Sequence, residues 1–364
     1  MRAEPATATA VHDPDATPPA LLEVEGLTKY FDAGGGLFGR GARQVRAVDG
    51  VSFSLRRGAT LGLVGESGSG KSTTARLVLR LLEPSSGRVS FDGVDVTTCT
   101  RREMARLRRR MQVVFQDPYG SLDPRMNALA AIGEPLVVHR MARGRDLRVR
   151  VAELLERVGL RPADMWKYPH QFSGGQAQRV SIARALATDP ELIICDEAVS
   201  ALDASIQAQI LNLLRRLQSE LGLSYLFIAH DLNVVRYMSD ELCVMYMGRI
   251  VERGDADRVL RDPVHPYTRM LVAAIPSLER PGGGRCGRPV LRGEVSSPLD
   301  PPSGCRFHPR CPDAVERCRH EDPAPRPVAV GRIAACHLHP AGPDEPHPDE
   351  PQTDEPHTDE EVAS

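Results

Sequence analysis

Residues 65–73 read GESGSGKST, a full match to the pattern G-x-x-x-x-G-K-[ST]. A loop that grips a polyphosphate needs this composition. Gly65, Gly68 and Gly70 leave room for backbone N–H groups of Glu66, Ser67 and Ser69 to curl around β- and γ-phosphate oxygens, and a helix opening at the loop's end adds partial positive charge. Lys71 supplies a mobile cation, the Ser72 hydroxyl suits Mg²⁺, and Thr73 completes the run. Lysine occurs elsewhere only as Lys29 and Lys167, although arginine is abundant.

A second group stands in LIICDEAVSALD, residues 192–203, where an apolar run ends in Asp196 and Glu197. Successive strand side chains point to opposite faces, so one carboxylate can hold Mg²⁺ while the next faces a water. Asp196 is the expected metal partner and Glu197 the expected base or orienter of an attacking water. Gln116 closes MQVVFQ and His230 closes YLFIAH. With the acids they are expected to ring a γ-phosphate, Gln116 sensing metal and water and His230 donating to a phosphate oxygen. In FSGGQAQR, residues 172–179, Ser173 is an N-cap with Gln176 in capping-box position. Gly174 and Gly175 beside it make a second anion site, too far along the chain to duplicate the first and so available to a neighbour.

These residues need strands to deliver them and helices to receive them. Residues 59–64 form a short apolar strand running into the glycines, followed by a helix with Leu77, Val78, Leu81 and Leu82 on one face. Residues 192–195 and 226–229 are uninterrupted apolar runs, as expected of parallel strands covered on both sides. Between them, residues 204–221 carry Ile206, Ile210, Leu213, Leu214, Leu217 and Leu221 at helical spacing. Strands alternating with helices imply an α/β core with a mainly parallel sheet. Ahead of it, Leu22 and Val24, then Val51, Phe53 and Leu55, alternate as half-buried antiparallel strands, separated by the Gly-rich residues 33–44. Residues 117–186 read as an inserted helical subdomain. Beyond about residue 276 the chain turns Pro-, Gly- and Cys-rich, a separate loop-dominated appendage.

Composition narrows the class. The first twenty residues are Ala-, Pro- and Thr-rich, without the basic start and apolar core of a secretory signal, and no apolar run reaches the roughly 18–20 residues of a membrane span. The expectation is a cytoplasmic chain that meets a membrane only through a partner. Residues 1–20 and 341–364 lack periodicity and are expected to be disordered; the acidic tail has nine Asp or Glu and no Lys or Arg. Without it the net charge of −2 becomes +7, yet aromatics are only 4% and runs such as residues 101–110 read as solvated surface. No nucleic-acid partner is expected. Eight cysteines in such a chain argue for metal, catalysis or burial rather than disulfides. Cys195 and Cys243 sit in apolar runs and read as core, while Cys99 and Cys286 have no evident role.

The order Tyr30, GESGSGKST, Gln116, FSGGQ, LIICDE, SALD with Asp203, and His230 resembles the nucleotide-binding domain of ABC transporters over residues 21 to about 254. That resemblance implies a P-loop NTPase (RecA-like) α/β core with an antiparallel β subdomain, an inserted helical subdomain and the loop-rich appendage. It implies ATP and Mg²⁺ as ligands, Tyr30 stacking on adenine, and Asp203 in the loop after the acids. It further implies a head-to-tail dimer in which each ATP is completed by the partner's signature, here Ser173, Gly174, Gly175 and Gln176. Phe172 stands where leucine is commonest in that signature.

The remaining third resembles the oligopeptide/dipeptide importer ATPases: HPYTRMLVAAIP at residues 265–276, then the Cys-rich stretch around PPSGCRFHPRCP. Residues 37–53 look like the F-type member of the paired D and F subunits. The resemblance implies a 21–275 cassette and a 276–340 extension, a second ATPase in a heterodimer, two membrane permeases, a solute-binding protein acting indirectly, and a peripheral place on the cytoplasmic face of the membrane. Importers of nickel and other small solutes share the extension. A soluble ABC ATPase acting on nucleic acid or ribosomes calls for a tandem second cassette, a coiled-coil insertion or a basic arm, and the sequence has none. Cys305, Cys311, Cys318 and Cys336 follow C-x5-C-x6-C-x17-C, which suits a four-thiolate metal site but fits neither zinc fingers nor ferredoxins. Spacing leaves iron–sulfur, zinc and unligated thiols open; the resemblance favours a [4Fe-4S] cluster.

Overall fold

The computed structural model describes residues 20–33, 43–275, 297 and 299–339. The expectations for most of the N-terminal segment, the middle of the Gly-rich loop, Cys286 and the acidic tail lie outside them.

Among the described residues, two sheets carry the fold. The first is antiparallel: β1 (Ala20–Ala33) pairs with β2 (Arg43–Arg56) and with β4 (Ser86–Phe91), and β4 with β5 (Val94–Asp95). The second has eight strands. Its parallel part runs β9 (Glu241–Tyr246), β3 (Thr60–Val64), β8 (Ser224–Ile228), β7 (Leu192–Asp196) and β6 (Met111–Val114). Beyond β9 it continues antiparallel through β10 (Arg249–Asp255), β12 (Arg332–Ala334) and β11 (Arg326–Ala329).

Why the central strands are apolar throughout follows from their alternation. Ile193, Cys195, Tyr225 and Phe227 join one buried cluster, and Leu192, Ile194, Leu226 and Ile228 join the other. The first cluster lies under helices: α4 (Ala128–Val138), α5 (Gly144–Arg157), α6 (Gly174–Leu186) and α7 (Ala204–Leu221), with α3 (Pro118–Ser121) beside them. The second fills the space between the two sheets around α1 (Lys71–Val78) and α2 (Arg101–Arg110). The segment between β6 and β7 has helices as its only regular elements, and α7 has the bounds its apolar spacing predicts. The remaining helices are α8 (Leu232–Met238), α9 (Ala256–Arg261), α10 (Pro266–Ala273) and α11 (Arg317–His320).

Two expectations change. The helix after the P-loop stops at Val78, so Leu81 lies beyond it and is 51% exposed. The C-terminal extension, expected as a separate loop-rich unit, adds β12 and β11 to the edge of the main sheet, with Glu252 opposite Ala334 and Arg253 opposite Ile333. A buried ion pair fixes that docking: Arg332 Nη2 donates to Glu252 Oε1 at 2.6 Å, and Glu252 also accepts the backbone N–H groups of Val264 and His265 at 3.0 and 2.9 Å. Glu252 is fully buried, and a carboxylate survives there because its oxygens are satisfied from several sides.

Candidate functional site

Strand β3 delivers Gly65 to the loop and α1 takes over at Lys71, the strand–loop–helix context the pattern requires. Two glycines show why the composition is fixed. A Cβ on Gly70 (φ 105°) would stand 2.2 Å from the Ala47 carbonyl oxygen; at Gly68 (φ 78°) a Cβ would meet nothing within 4 Å, so only the left-handed backbone favours glycine. Ser67 and Gly68 are exposed at the loop's tip, and Ser69 is buried. The Ser69 carbonyl accepts the Gly248 N–H at 2.8 Å, anchoring the loop to the β9–β10 turn.

Lys71 folds back into the loop. Its Nζ donates to the carbonyl oxygens of Gly65 (2.8 Å) and Glu66 (2.9 Å). Burial lowers its pKa, while the carboxylates of Glu197, Asp196 and Glu66 oppose that shift. Ser72 and Thr73 are half-buried at the start of α1. From 124 residues away, Asp196 Oδ1 accepts the Ser72 hydroxyl at 2.8 Å. A hydroxyl and a carboxylate oxygen so close are hard donors suited to Mg²⁺, which takes one or two protein oxygens and completes its shell with phosphate and water. Burial raises the Asp196 pKa, the Ser72 hydrogen bond opposes it, and neighbouring Glu197 adds to the rise.

Glu197 is where geometry departs from expectation. It does not continue the strand's alternation: β7 ends at Asp196, and Glu197 has φ 51°, a left-handed conformation unusual for glutamate. Its N–H donates to the Ile228 carbonyl at 2.9 Å, and its own carbonyl accepts the Ser200 hydroxyl at 3.0 Å. Its Oε2 lies 3.6 Å from His230 Nδ1. The acid is mostly covered and the imidazole mostly open, so the pair forms a polar edge beside Asp196 and Lys71. Strain of this kind, of order 1–3 kcal/mol, recurs at functional sites. Gln116 is exposed, two residues past the end of β6 rather than closing it.

Tyr30 is half-buried in β1, with its hydroxyl donating to Asp49 Oδ1 at 2.6 Å and the Arg46 guanidinium 5.7 Å from its ring centroid. At the signature, Ser173 caps α6 in a full capping box: Gln176 N–H donates to Ser173 Oγ at 3.4 Å, and Ser173 N–H to Gln176 Oε1 at 3.1 Å. Gly174 and Gly175 are half-exposed at that helix start. A Cβ on Gly175 would stand 2.5 Å from Ile206 Cγ2, so close packing against α7 favours glycine there. Asp203 is exposed as the N-cap residue of α7.

A functional connection that sequence reasoning missed lies in HPY. His265 caps α10, its Nδ1 accepting the Tyr267 N–H at 3.1 Å, and Pro266 occupies the first helical turn. The Tyr267 hydroxyl then accepts the Glu66 N–H at 2.9 Å, so this triplet buttresses the P-loop. Buried aromatic contacts among Tyr246, Tyr267 and Phe307 support it.

Cys305, Cys311, Cys318 and Cys336 are free thiols in one neighbourhood; Cys305 N–H donates to the Cys318 carbonyl at 2.9 Å. Burial raises the pKa of Cys305 and Cys336 and pushes Cys311 up to about 11. Among the described residues, however, no three His, Cys, Asp or Glu side chains are grouped closely enough to hold a metal ion. The expected cluster ligands thus share a region without forming an assembled ligand set. Cys195 and Cys243 are fully buried, and Cys99 is buried too, with its Sγ donating to the Val96 carbonyl at 3.3 Å.

Comparison with known proteins gives these positions a context. Residues 48–200 match the ABC transporter family, and residues 251–318 the C-terminal region of oligopeptide/dipeptide transporters. The chain is 48% identical over 320 residues to the oligopeptide transport ATP-binding protein AppF of Bacillus subtilis, covering 88% of this chain and 97% of that one. It is 52% identical over 319 residues to the probable peptide ABC transporter ATP-binding protein y4tS of Sinorhizobium fredii, covering 88% and 90%. Among solved structures, the dimeric ATP-binding cassette MJ0796 bound to ADP and Pi is similar with TM-score 0.57 and 30% identity, covering 65% of this chain and 98% of that chain. CbiO1 of Clostridium perfringens is similar with the same TM-score and identity, covering 67% and 91%.

Proposed function

Because the chain belongs to the ATP-binding subunits of peptide ABC transporters, we propose that it hydrolyses ATP at a dimer interface to drive oligopeptide or dipeptide import through membrane partners. The observation that carries this reading is the 2.8 Å meeting of Ser72 with Asp196, with Lys71 folded into the loop and Glu197 beside His230. A P-loop after β3, an acid at the end of β7 two strands away and a second polar pair are what positioning and charge stabilisation of a phosphoryl group require.

In this proposal the N–H groups of residues 65–73 and Lys71 bind the phosphates, and Ser72, Asp196 and Gln116 hold Mg²⁺, which supplies charge neutralisation. Glu197 orients or deprotonates the attacking water, His230 donates to a γ-phosphate oxygen, and Tyr30 stacks on adenine. Ser173, Gly174, Gly175 and Gln176 face the ATP of the opposite subunit, with Asp203 in the loop between. The division into a 21–275 cassette with a helical 117–186 insert and a 276–340 extension belongs to the same reading. So do pairing with a different second ATPase, two permeases and a solute-binding protein, and a peripheral place on the cytoplasmic face; no helix among the described residues is long and apolar enough to cross a membrane.

Glu197→Gln tests the assignment. Its turnover is expected to fall on the order of 100-fold or more, with ATP retained and a stable dimer seen by size exclusion. Turnover within a few-fold of the parent chain would overturn it. From the C-x5-C-x6-C-x17-C spacing in the extension we also propose a [4Fe-4S] cluster on Cys305, Cys311, Cys318 and Cys336, although among the described residues these thiols are not grouped as a metal site. Anaerobically purified protein should be brown and contain iron and acid-labile sulfide; colourless protein carrying zinc refutes the assignment.

A further inference from the structure

Glu66 is a carboxylate in a loop built to receive phosphate anions. Left unpaired it would oppose them. Arg310, 244 residues away in the extension, grips it in a fork: Nη1 to Oε2 at 2.8 Å and Nη2 to Oε1 at 3.0 Å. The Arg310 side chain is 4% exposed and that of Glu66 20%. The guanidinium also faces the Tyr246 hydroxyl at 3.4 Å and lies 5.9 Å from that ring's centroid. Glu66 is thereby pinned through its carboxylate by Arg310 and through its N–H by the Tyr267 hydroxyl, while its carbonyl accepts from Lys71 Nζ.

Four residues earlier, Arg306 is buried as well and ties two further segments together. It donates to the Met247 carbonyl, beside the turn that anchors Ser69, and to Asp49, which accepts from the Tyr30 hydroxyl. Both arginines lie between Cys305 and Cys311 around the single turn His308–Arg310. This stretch therefore reaches both the phosphate loop and the residue proposed to stack on the base.

We propose that Arg310 is a positioning residue for ATP binding: by holding and neutralising Glu66 it keeps the P-loop in its phosphate-receiving shape, so that the C-terminal extension sets the nucleotide affinity of the cassette. A bidentate guanidinium–carboxylate pair is suited to this because it fixes direction as well as charge. The inference rests on residues 65–73 being the ATP-binding loop.

The test is equilibrium binding of a fluorescent ATP analogue to the full chain and to three variants: Arg310→Met, Glu66→Gln, and the two together. Arg310→Met is expected to weaken binding roughly tenfold, because it strands a carboxylate at the anion site. The double variant should bind as Glu66→Gln alone does, whatever that value is, a non-additivity that marks direct coupling. A purely architectural role for Arg310 gives a loss that Glu66→Gln does not relieve, and that result, like unchanged affinity in Arg310→Met, overturns the proposal. If Arg310→Met does not accumulate, Arg310→Lys is put through the same cycle. It keeps the charge, loses the fork, and should weaken binding about threefold, again relieved by Glu66→Gln. A parent chain that fails to bind the analogue refutes the ATP-site reading instead, so the two failures are distinguishable.

Discussion

Replacing His265 by asparagine should flatten the acid limb of this protein's stability curve. His265 is 1% exposed, and burial, reinforced by the positive charges of His339 and Arg269, pushes its pKa from the ordinary 6.5 down to about 3. The folded chain therefore keeps a neutral imidazole whose Nδ1 must stay unprotonated to accept the Tyr267 N–H. The unfolded chain binds a proton there below pH 6.5. Since stability rises with pH wherever the unfolded state holds more protons, this residue removes stability as pH falls from 6.5 toward 3. From pH 6.5 to 5.0 the loss is about 1.4 kcal/mol per pH unit, or about 2 kcal/mol in all. Asparagine preserves an N-cap acceptor and carries no titrating group. It also leaves a small void against Phe307, whose ring centroid is 5.8 Å from that of His265, so a pH-independent offset is expected as well. Urea unfolding of both proteins at pH 7.5, 6.5, 5.5 and 5.0 separates the two contributions. The difference between the parent chain and His265→Asn should shift by about 2 kcal/mol across that range in favour of the variant. Parallel curves would show that the folded state accepts the proton, refuting a dry, neutral His265.

Two further outcomes follow from the P-loop and its acid. Burial raises the Asp196 pKa, so its ionised form is disfavoured in the fold; the contribution is favourable below the unfolded value and lost as pH rises through the folded one. Asp196→Asn should consequently raise Tm in magnesium-free buffer at pH 7 while cutting Mg²⁺-dependent turnover on the order of 100-fold; a lowered Tm would contradict the burial argument. In the loop itself, Gly68→Ala should cost only about 1 kcal/mol of backbone strain, whereas Gly70→Ala forces the Ala47 backbone aside and should cost about 3 kcal/mol or more. Equal losses in thermal denaturation would rule out that contrast.

What the sequence disclosed and what it withheld divide along the range of the interactions. Local composition specifies the P-loop, because strand, glycines and helix are contiguous, and it specifies the capping box of Ser173 and Gln176. The uninterrupted apolar runs 192–195 and 226–229 anticipate strands covered on both sides, and the structure sends successive residues to opposite cores. Glu197 was legible in identity but not in conformation. Glutamate carries no left-handed preference, and φ 51° arises from the turn into Ser200 and the bond to Ile228. His265 escaped a capping reading because histidine is an uncommon N-cap residue.

The extension was the least legible part. Its strands span three and four residues, too short for periodicity to register. Its attachment depends on charge pairs separated by 80 and 244 residues, Arg332 with Glu252 and Arg310 with Glu66, and no local pattern matches one arginine among many to its carboxylate. Burial is what makes those matches specific. On the surface either arginine could trade partners for well under 1 kcal/mol; in the interior an unmatched carboxylate is costly enough that the extension can dock in only one way. The same cost links docking to nucleotide binding, since any displacement of the His308–Arg310 turn strands Glu66 beside the site where phosphate must enter.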